Sequence, residues 1–160
     1  MPSVSVVVSI HNAVGYLSAC VDSLLAQTVG GPEIILVDDG SSDGSGSLAD
    51  QLGQAHDNVR VLHRQRHCPG EARNVGMRAC TGDYLSFVNA CDWVKPTMYE
   101  QLLTSATDDG ADIVSSGHCD VCDNVTRRGR PHPLAGIVLT KRQDILGVRK
   151  QLFGVLPKDS

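Results

Sequence analysis

The chain has 160 residues, of which 41% are hydrophobic and 20% are charged. These proportions are typical of a globular protein with a core of its own, and they exclude an intrinsically disordered chain. The formal net charge of −4 gives no general reason to expect nucleic acid or an anionic membrane as a partner.

Strand-like and helical patterns alternate along most of the chain. The predicted strands are residues 4–10, 34–37, 59–63, 84–88 and 111–116, and the predicted helices are residues 15–27, 47–56, 71–80 and 96–107. The strands are apolar and rich in β-branched residues, whereas the helices carry apolar residues at helical spacing. This alternation predicts an α/β domain with a mostly parallel, doubly wound sheet.

The C-terminal residues follow a different pattern. Residues 118–136 are rich in Gly, Pro, Arg and His without a visible period, so we predict a loop there, and amphipathic residues 141–153 predict a last helix. Cys119 and Cys122 form a single C-x-x-C motif. We interpret this motif as coincidence, because a structural zinc site needs a second pair of ligands.

Features of cellular location are also readable from the sequence. No stretch approaches the roughly 18 consecutive apolar residues that a membrane-spanning helix needs. The first residues lack the basic region of a signal peptide, and the six cysteines of a chain without an export signal favour reduced thiols. We therefore expect a cytoplasmic protein, held at the inner face of the membrane, if at all, by a partner.

Three polar clusters follow predicted strands, at residues 11–12, 38–43 and 89–92. Ligands of parallel sheets bind at the carboxyl ends of the strands, so these clusters predict a ligand site there. Acidic side chains at such a place accept hydrogen bonds from a ribose or a base. Because Asp, Gly and Ser are also turn formers, the cluster at 38–43 is equally compatible with a turn that caps a helix.

The cluster at residues 89–92 contains one carboxylate, that of Asp92. A hard cation that binds together with a diphosphate usually takes one or two protein carboxylates, so the cluster permits a metal site without specifying one. The thiol of Cys91 is a poor ligand for such a cation.

Five motifs occur in a characteristic order and spacing: SVVVSIHNA at 5–13, EIILVDDGSSDG at 33–44, ARNVG at 72–76, GDYL at 82–85 and FVNACDW at 87–93. Together they resemble the family 2 glycosyltransferases over roughly residues 3–115. The resemblance implies a three-layer, Rossmann-like GT-A fold of the nucleotide-diphospho-sugar transferases. It also implies a chain that is incomplete at its C-terminal end.

The same resemblance implies a set of nucleotide-binding residues: Ser9, His11, Asp38, Asp39, Arg73 and Asn89. Asp39 is expected on the base, His11 is expected to stack on its ring, and Asp38 is expected to support the loop or reach the ribose. Arg73 matches the family's arginine near the nucleotide, and its alternative interpretation is an ordinary helix-surface arginine.

The metal motif of the family, Phe-x-Asp-x-Asp-Asp-Trp, is altered in this sequence. Asn89 and Cys91 replace its first two acids, and Asp92 is retained as the expected ligand of a divalent cation, Mg²⁺ or Mn²⁺. Without those acids the ion binds less tightly and stabilises the leaving diphosphate less, so we expect weak or absent catalysis. No downstream acid matches the family's catalytic base, which stays unassigned.

The resemblance implies a glycosyltransferase that moves a sugar from a nucleotide-diphospho-sugar, in most cases a UDP-sugar, to a glycan or lipid-linked acceptor of the cell envelope. The alternative is an inactive or truncated nucleotide-sugar-binding domain that acts through a partner. We expect residues 1–117 to form the nucleotide-sugar-binding domain and residues 118–160 to be a loop and helix remnant of the acceptor-side half.

Overall fold

The computed structural model describes residues 2–65, 69–122 and 125–129. The chain divides into two compact units, Met1–Leu103 and Thr104–Ser160. The domain boundary expected between residues 117 and 118 stays a prediction, and the helix predicted at 141–153 lies outside the described residues. Among the helices of the described part, none is long and apolar enough to cross a membrane.

Strands and helices alternate from the first strand to the end of the fourth helix. The elements are β1 (Val4–Ile10), α1 (Leu17–Leu25), β2 (Glu33–Asp39), α2 (Ser45–Ala55), β3 (Val59–Arg64), α3 (Pro69–Ala79), β4 (Tyr84–Asn89) and α4 (Met98–Asp109). These eight elements confirm the eight that the sequence patterns predict up to residue 107. Their ends differ from the predicted ends by two residues at most.

The four strands form one parallel sheet in the order β3-β2-β1-β4. The chain adds β2 and β3 on one side of β1 and then returns to add β4 on the other side. The direction of winding therefore reverses between β1 and β4, which is where doubly wound sheets bind ligands. In the register, Ser9 of β1 pairs with Asn89 of β4 and with Val37 of β2.

Helices cover both faces of β1 and β2. On one face Val7, Ile35 and Val37 pack beneath α3, and on the other face Val6, Val8, Ile34 and Leu36 pack with residues of α1, α2 and the start of α4. Full burial of such a side chain contributes about 1.5–3 kcal/mol relative to exposure. Burial on both faces explains why residues 6–8 of β1 and 34–37 of β2 are continuous apolar runs rather than alternating ones.

Helix α3 lies close to the sheet at Gly76. A Cβ at this position would lie 2.3 Å from Cγ1 of Val7 and 3.1 Å from Cγ2 of Val37. Only a residue without a side chain permits this approach. The close packing fixes α3, and with it Arg73, relative to the strand ends.

The chain between β4 and α4 is fixed by the side chain of Gln27. Its Nε2 donates to the carbonyl oxygen of Lys95 at 2.8 Å, and its Oε1 accepts from the backbone N–H of Tyr99 at 3.1 Å. The hydroxyl of Tyr99 donates to Ser86 of β4 at 2.9 Å, and burial raises the pKa of Tyr99 to about 12. These contacts hold the segment that follows Asp92.

Two sequence predictions for the region after α4 are wrong. Residues 111–116, predicted as a strand, have no regular secondary structure, and the side chain of Ile113 is 78% exposed. A short β-branched run needs a neighbouring strand, and among the described strands none pairs with this segment. Residues 118–136, predicted as a loop, contain an antiparallel pair, β5 (Cys119–Cys122) and β6 (Val125–Arg128). Backbone pairing, with Val121 opposite Thr126, joins these two strands despite their polar sequence.

Candidate functional site

The carboxyl ends of β1, β2 and β4 bring the predicted site residues together. Ser9 and Asn89 are register partners, Asp38 and Asp39 end β2, and His11 follows β1 and contacts Asp39. Arg73 reaches Asn89 from α3, and Asp92 hydrogen-bonds to Asn89 from the turn after β4. All seven predicted residues therefore lie at one end of the sheet, while their ligand roles stay predictions.

The loop after β1 is bound to the loop after β2 by side chains. Three consecutive backbone N–H groups donate across the gap, from Asn12 to Ser41 Oγ (3.1 Å), from Ala13 to Ser45 Oγ (2.8 Å) and from Val14 to Asp43 Oδ2 (3.0 Å). Free N–H groups before a helix commonly bind phosphate. The N–H groups of Asn12, Ala13 and Val14 are already used, so these three join the two loops rather than form a phosphate cradle.

Asn12 and Asp43 complete this joint. Asn12 adopts a left-handed conformation with φ of 50°, which asparagine tolerates, and its Oδ1 accepts from the backbone N–H of Ser42 at 2.9 Å. Oδ1 of Asp43 accepts from the hydroxyl of Ser45 at 2.5 Å and from its backbone N–H at 3.0 Å. The hydrogen bond from the Ser45 hydroxyl, followed by that from Val14, lowers the pKa of Asp43.

His11 is held by one edge of its ring. Its Nδ1 lies 3.2 Å from the carbonyl oxygen of Asp39. Because a carbonyl oxygen only accepts, Nδ1 is the donor. The ring is otherwise exposed beside the end of β2. This position leaves an aromatic face open at the predicted base pocket.

Asp38 is buried and supports the loop that follows it. Its Oδ1 accepts from the backbone N–H of Ser41 at 3.1 Å, and its Oδ2 lies 3.3 Å from Nδ1 of His63. His63 Nε2 lies 2.8 Å from Oδ1 of Asp50. The hydrogen bond to Asp50 raises the pKa of His63, burial opposes it, and Asp38 adds to the rise. Only the protonated imidazole donates to both carboxylates at once.

Asp39 is also buried, next to a cation. Nε of Arg64 lies 3.8 Å from Oδ1 of Asp39, and Nη2 of Arg64 donates to Glu71 at 2.8 Å. Nη1 of Arg64 is buried and has no hydrogen-bond partner among the described residues. The guanidinium offsets part of the cost of burying the Asp39 carboxyl group at this end of β2.

Sequence reasoning missed the basic pair that supports these two acids. The parallel register places His63 beside Asp38 and Arg64 beside Asp39 at the ends of β3 and β2. Two basic residues at the end of one predicted strand (63–64) and two acidic residues directly after another (38–39) are the signal that points to this contact. The strand order needed to use that signal is not visible in the sequence.

The turn after β4 forms a second polar chain with α3. Nη2 of Arg73 donates to Oδ1 of Asn89 at 3.1 Å, and Nδ2 of Asn89 donates to Oδ2 of Asp92 at 2.8 Å. The backbone N–H of Asp92 donates to the carbonyl oxygen of Asn89 at 2.9 Å, which closes the turn. The amide of Asn89 thus joins the guanidinium to the carboxylate.

These side chains do not fit a hard divalent cation. Mg²⁺ and Mn²⁺ prefer oxygen ligands with carboxylates among them, whereas this turn offers one carboxylate, one amide already bonded on both sides, and the exposed thiol of Cys91. Over the described residues there is no group of three or more His, Cys, Asp or Glu side chains placed to hold a metal ion. Asp92 as a single ligand stays a prediction.

Comparisons with known proteins agree with the motifs. Residues 5–155 match Glycosyl transferase family 2. Over 141 residues the chain is 36% identical to the uncharacterized glycosyltransferase EpsJ of Bacillus subtilis (strain 168), a match that covers 88% of this chain and 41% of EpsJ. The chain therefore spans about two fifths of that relative's length.

Solved structures show the same fold. S. aureus TarS 1–349 in complex with UDP-GlcNAc superposes with a TM-score of 0.62 at 22% identity, covering 68% of this chain and 32% of that one. The mannosyltransferase PcManGT of Pyrobaculum calidifontis, in complex with GDP-Man and Mn²⁺, gives a TM-score of 0.54 at 23% identity, covering 57% and 28%. These similarities confirm the GT-A fold predicted from the sequence.

Proposed function

The chain belongs to glycosyl transferase family 2, and on that premise we propose that it binds a nucleotide-diphospho-sugar and transfers the sugar to a glycan or lipid-linked acceptor. The observation that carries the proposal is the grouping of the seven predicted residues at the point where the sheet reverses its winding. Ligand sites of doubly wound sheets lie at this point.

The end of β2 is the proposed pocket for the base and ribose. His11 presents an exposed ring whose orientation is fixed by the carbonyl of Asp39. Asp39 is proposed to accept a hydrogen bond from the base, Ser9 to line the pocket, and Asn89 to contact the ribose. Asp38 is committed to Ser41 and His63, which favours its role in supporting the loop over direct contact with the ribose.

A UDP-sugar is the proposed donor. The TarS structure contains UDP-GlcNAc, whereas the PcManGT structure contains GDP-Man and Mn²⁺. Each of those structures therefore holds a nucleotide-diphospho-sugar, the class of ligand proposed for this chain. Uracil has one ring, whereas guanine has two. The imidazole of His11 offers a small stacking area, which is better matched to the single ring of uracil.

Transfer requires stabilisation of the negative charge that builds on the leaving diphosphate and removal of a proton from the acceptor hydroxyl. Arg73 is the residue proposed to face that charge. The base that takes the proton has no assignment within this chain.

A cytoplasmic location is proposed on the chemistry of the cysteines. Cys20, Cys80, Cys91 and Cys119 are free thiols, which is the usual state in a reducing compartment. Donor binding would then take place on the cytoplasmic side, where an acceptor on the inner face of the membrane is accessible.

A second candidate function is a nucleotide-sugar-binding domain without transferase activity, which acts through a partner. The replacement of two acids by Asn89 and Cys91 favours it. Both candidates require donor binding, and they differ in turnover. An assay of UDP release from the bound UDP-sugar, with and without candidate acceptors, separates them.

Calorimetric titration of UDP and UDP-GlcNAc into the purified chain tests the proposal, and His11 offers a sharp variant pair. Stacking on a base contributes about 1–3 kcal/mol, so His11→Ala should weaken UDP binding by about tenfold while His11→Phe retains it. Tyr16→Ala, at an exposed aromatic residue that immediately precedes α1, is the matched control. If His11→Ala and His11→Phe bind UDP with equal affinity, His11 does not stack on the base. If the folded, unmodified chain binds neither UDP nor UDP-GlcNAc, the proposed function is wrong.

A further inference from the structure

The polar chain of Arg73, Asn89 and Asp92 occupies the place of the family's metal motif. Both ends of the Asn89 amide are used, the oxygen by Arg73 at 3.1 Å and the nitrogen by Asp92 at 2.8 Å. A cation that took Asn89 and Asp92 as ligands would have to break both hydrogen bonds. It would also lie next to the guanidinium, which repels it.

The turn after β4 carries less negative charge than a site for a divalent cation needs. An amide and a thiol stand at the two positions where the family has carboxylates. With an acid at position 89, the charge of Arg73 would be neutralised by an ion pair. With Asn89, the guanidinium is oriented by a neutral partner and keeps its full charge for a ligand.

Arg73 also has the donors that a diphosphate requires. A guanidinium carries five N–H donors in a fixed plane, and among the described residues Asn89 accepts one of them. The side chain is exposed on α3, and the close packing at Gly76 holds that helix on the sheet. The N–H groups of Asn12, Ala13 and Val14 are already bonded to side chains at positions 41–45, so these three do not take the place of Arg73.

We propose that this chain binds the diphosphate of its donor without a divalent cation, with Arg73 contacting the phosphates directly and Asn89 acting as the residue that positions Arg73. The inference rests on the proposed function, because it concerns the same donor site. It assigns to a fixed positive side chain the charge that the metal supplies elsewhere in the family.

Titration of UDP into the full chain, once in EDTA and once in Mn²⁺, tests the inference directly. The expected result is a Kd that agrees within about twofold between the two conditions. Binding that occurs only with Mn²⁺, or that Mn²⁺ tightens by about tenfold or more, overturns the inference and leaves the proposed function standing. Absence of binding in both conditions, with the chain folded by circular dichroism, overturns both.

Arginine variants on one helix supply the second test. Arg73→Ala should weaken UDP binding in EDTA by about tenfold or more, because a charge-assisted hydrogen bond to phosphate is lost. Arg78→Ala, at an exposed position in the last turn of the same helix, should leave the affinity unchanged. Equal effects of the two variants overturn the role of Arg73.

Restoring the acids should restore the requirement for metal. The double variant Asn89→Asp with Cys91→Asp is expected to bind UDP about tenfold more weakly in EDTA than the unmodified chain and to recover in Mn²⁺. Both positions are exposed, so the variant should fold. Metal-independent binding of the double variant at unchanged affinity contradicts the positioning role of Asn89.

Discussion

Nδ1 of His63 lies 3.3 Å from Oδ2 of Asp38, so a side chain near the end of β3 holds the next-to-last side chain of β2. The second ring nitrogen of His63 lies 2.8 Å from Asp50 on α2. A helix, two strands and the loop after β2 therefore meet at one imidazole. This contact links the protonation state of a partly exposed histidine to the geometry of the candidate site.

Replacement of His63 by Gln should reduce stability at low pH more than at high pH. The folded-state pKa of His63 is raised, mainly by Asp50, so its stabilising charge is fully present below the unfolded pKa of about 6.5 and is lost as pH rises through the folded value. The side chain is 48% exposed, which limits the effect to about 1 kcal/mol or less. Urea unfolding at pH 5.5 and pH 9 measures it. A difference between the two proteins that does not change with pH contradicts the prediction.

Gly46→Ala should weaken nucleotide binding and leave the fold intact. A Cβ at this position would lie 2.9 Å from Oδ2 of Asp38 and must displace that carboxylate, which His63 and Ser41 hold in place. We expect a loss of about tenfold in UDP affinity. Alanine in a helix gains about 0.5–1 kcal/mol over glycine, so thermal stability should not fall much.

Gly15→Ala is the control for this substitution, because a Cβ there meets nothing within 4 Å. Its UDP affinity should equal that of the unmodified chain. Unchanged affinity of Gly46→Ala would show that the position of Asp38 does not matter for binding.

Asp43→Asn should change how the stability of the fold depends on pH between about pH 2 and pH 6. Hydrogen bonds, first that from the Ser45 hydroxyl, lower the pKa of Asp43, so its contribution is present above the unfolded pKa of about 3.8 and is lost as pH falls through the folded value. The variant should therefore be less stable than the unmodified chain at pH 6, and the two stabilities should converge towards pH 2. Thermal unfolding across this range is the measurement, and Asp22→Asn on α1 is the control. Parallel profiles would refute the role of the Asp43 charge.

Gly76→Ala should destabilise the fold by about 1–3 kcal/mol, because the added methyl group would overlap Val7 beneath α3. Gly70→Ala lies on the same helix, where a Cβ meets nothing within 4 Å, and should be neutral or stabilising. The free energies of unfolding of both variants decide the matter. Similar values for the two would mean that α3 moves off the sheet at little cost.

The sequence predicts the sheet well because each central strand is buried on both faces. Residues 34–37 are apolar without interruption, and a run of that kind suits a parallel strand. The same reasoning failed at Ile113, where a shorter apolar pair is not joined by any of the described strands. It also failed at the antiparallel pair of β5 and β6, whose pairing depends on the backbone rather than on an apolar pattern.

The site was predictable only in part. His11, Asp38 and Asn89 could be placed at one end of the sheet because parallel strands all end on the same side. The side chains that hold these residues in place could not be predicted. A contact such as that of His63 with Asp38 depends on which strands are neighbours and in which register they pair. The bond from Arg73 to Asn89 likewise depends on how closely α3 approaches the sheet, a distance that no motif records.

The hydrogen bonds between the β1–α1 and β2–α2 loops allow motion at the candidate site to be measured without any ligand. The backbone protons of Asn12, Ala13 and Val14 are bonded to side chains about 30 residues away in the chain. They exchange with deuterium only when the two loops separate. Their exchange rates therefore report how often the two loops separate without a ligand, and a bound donor that bridges both loops should slow all three together.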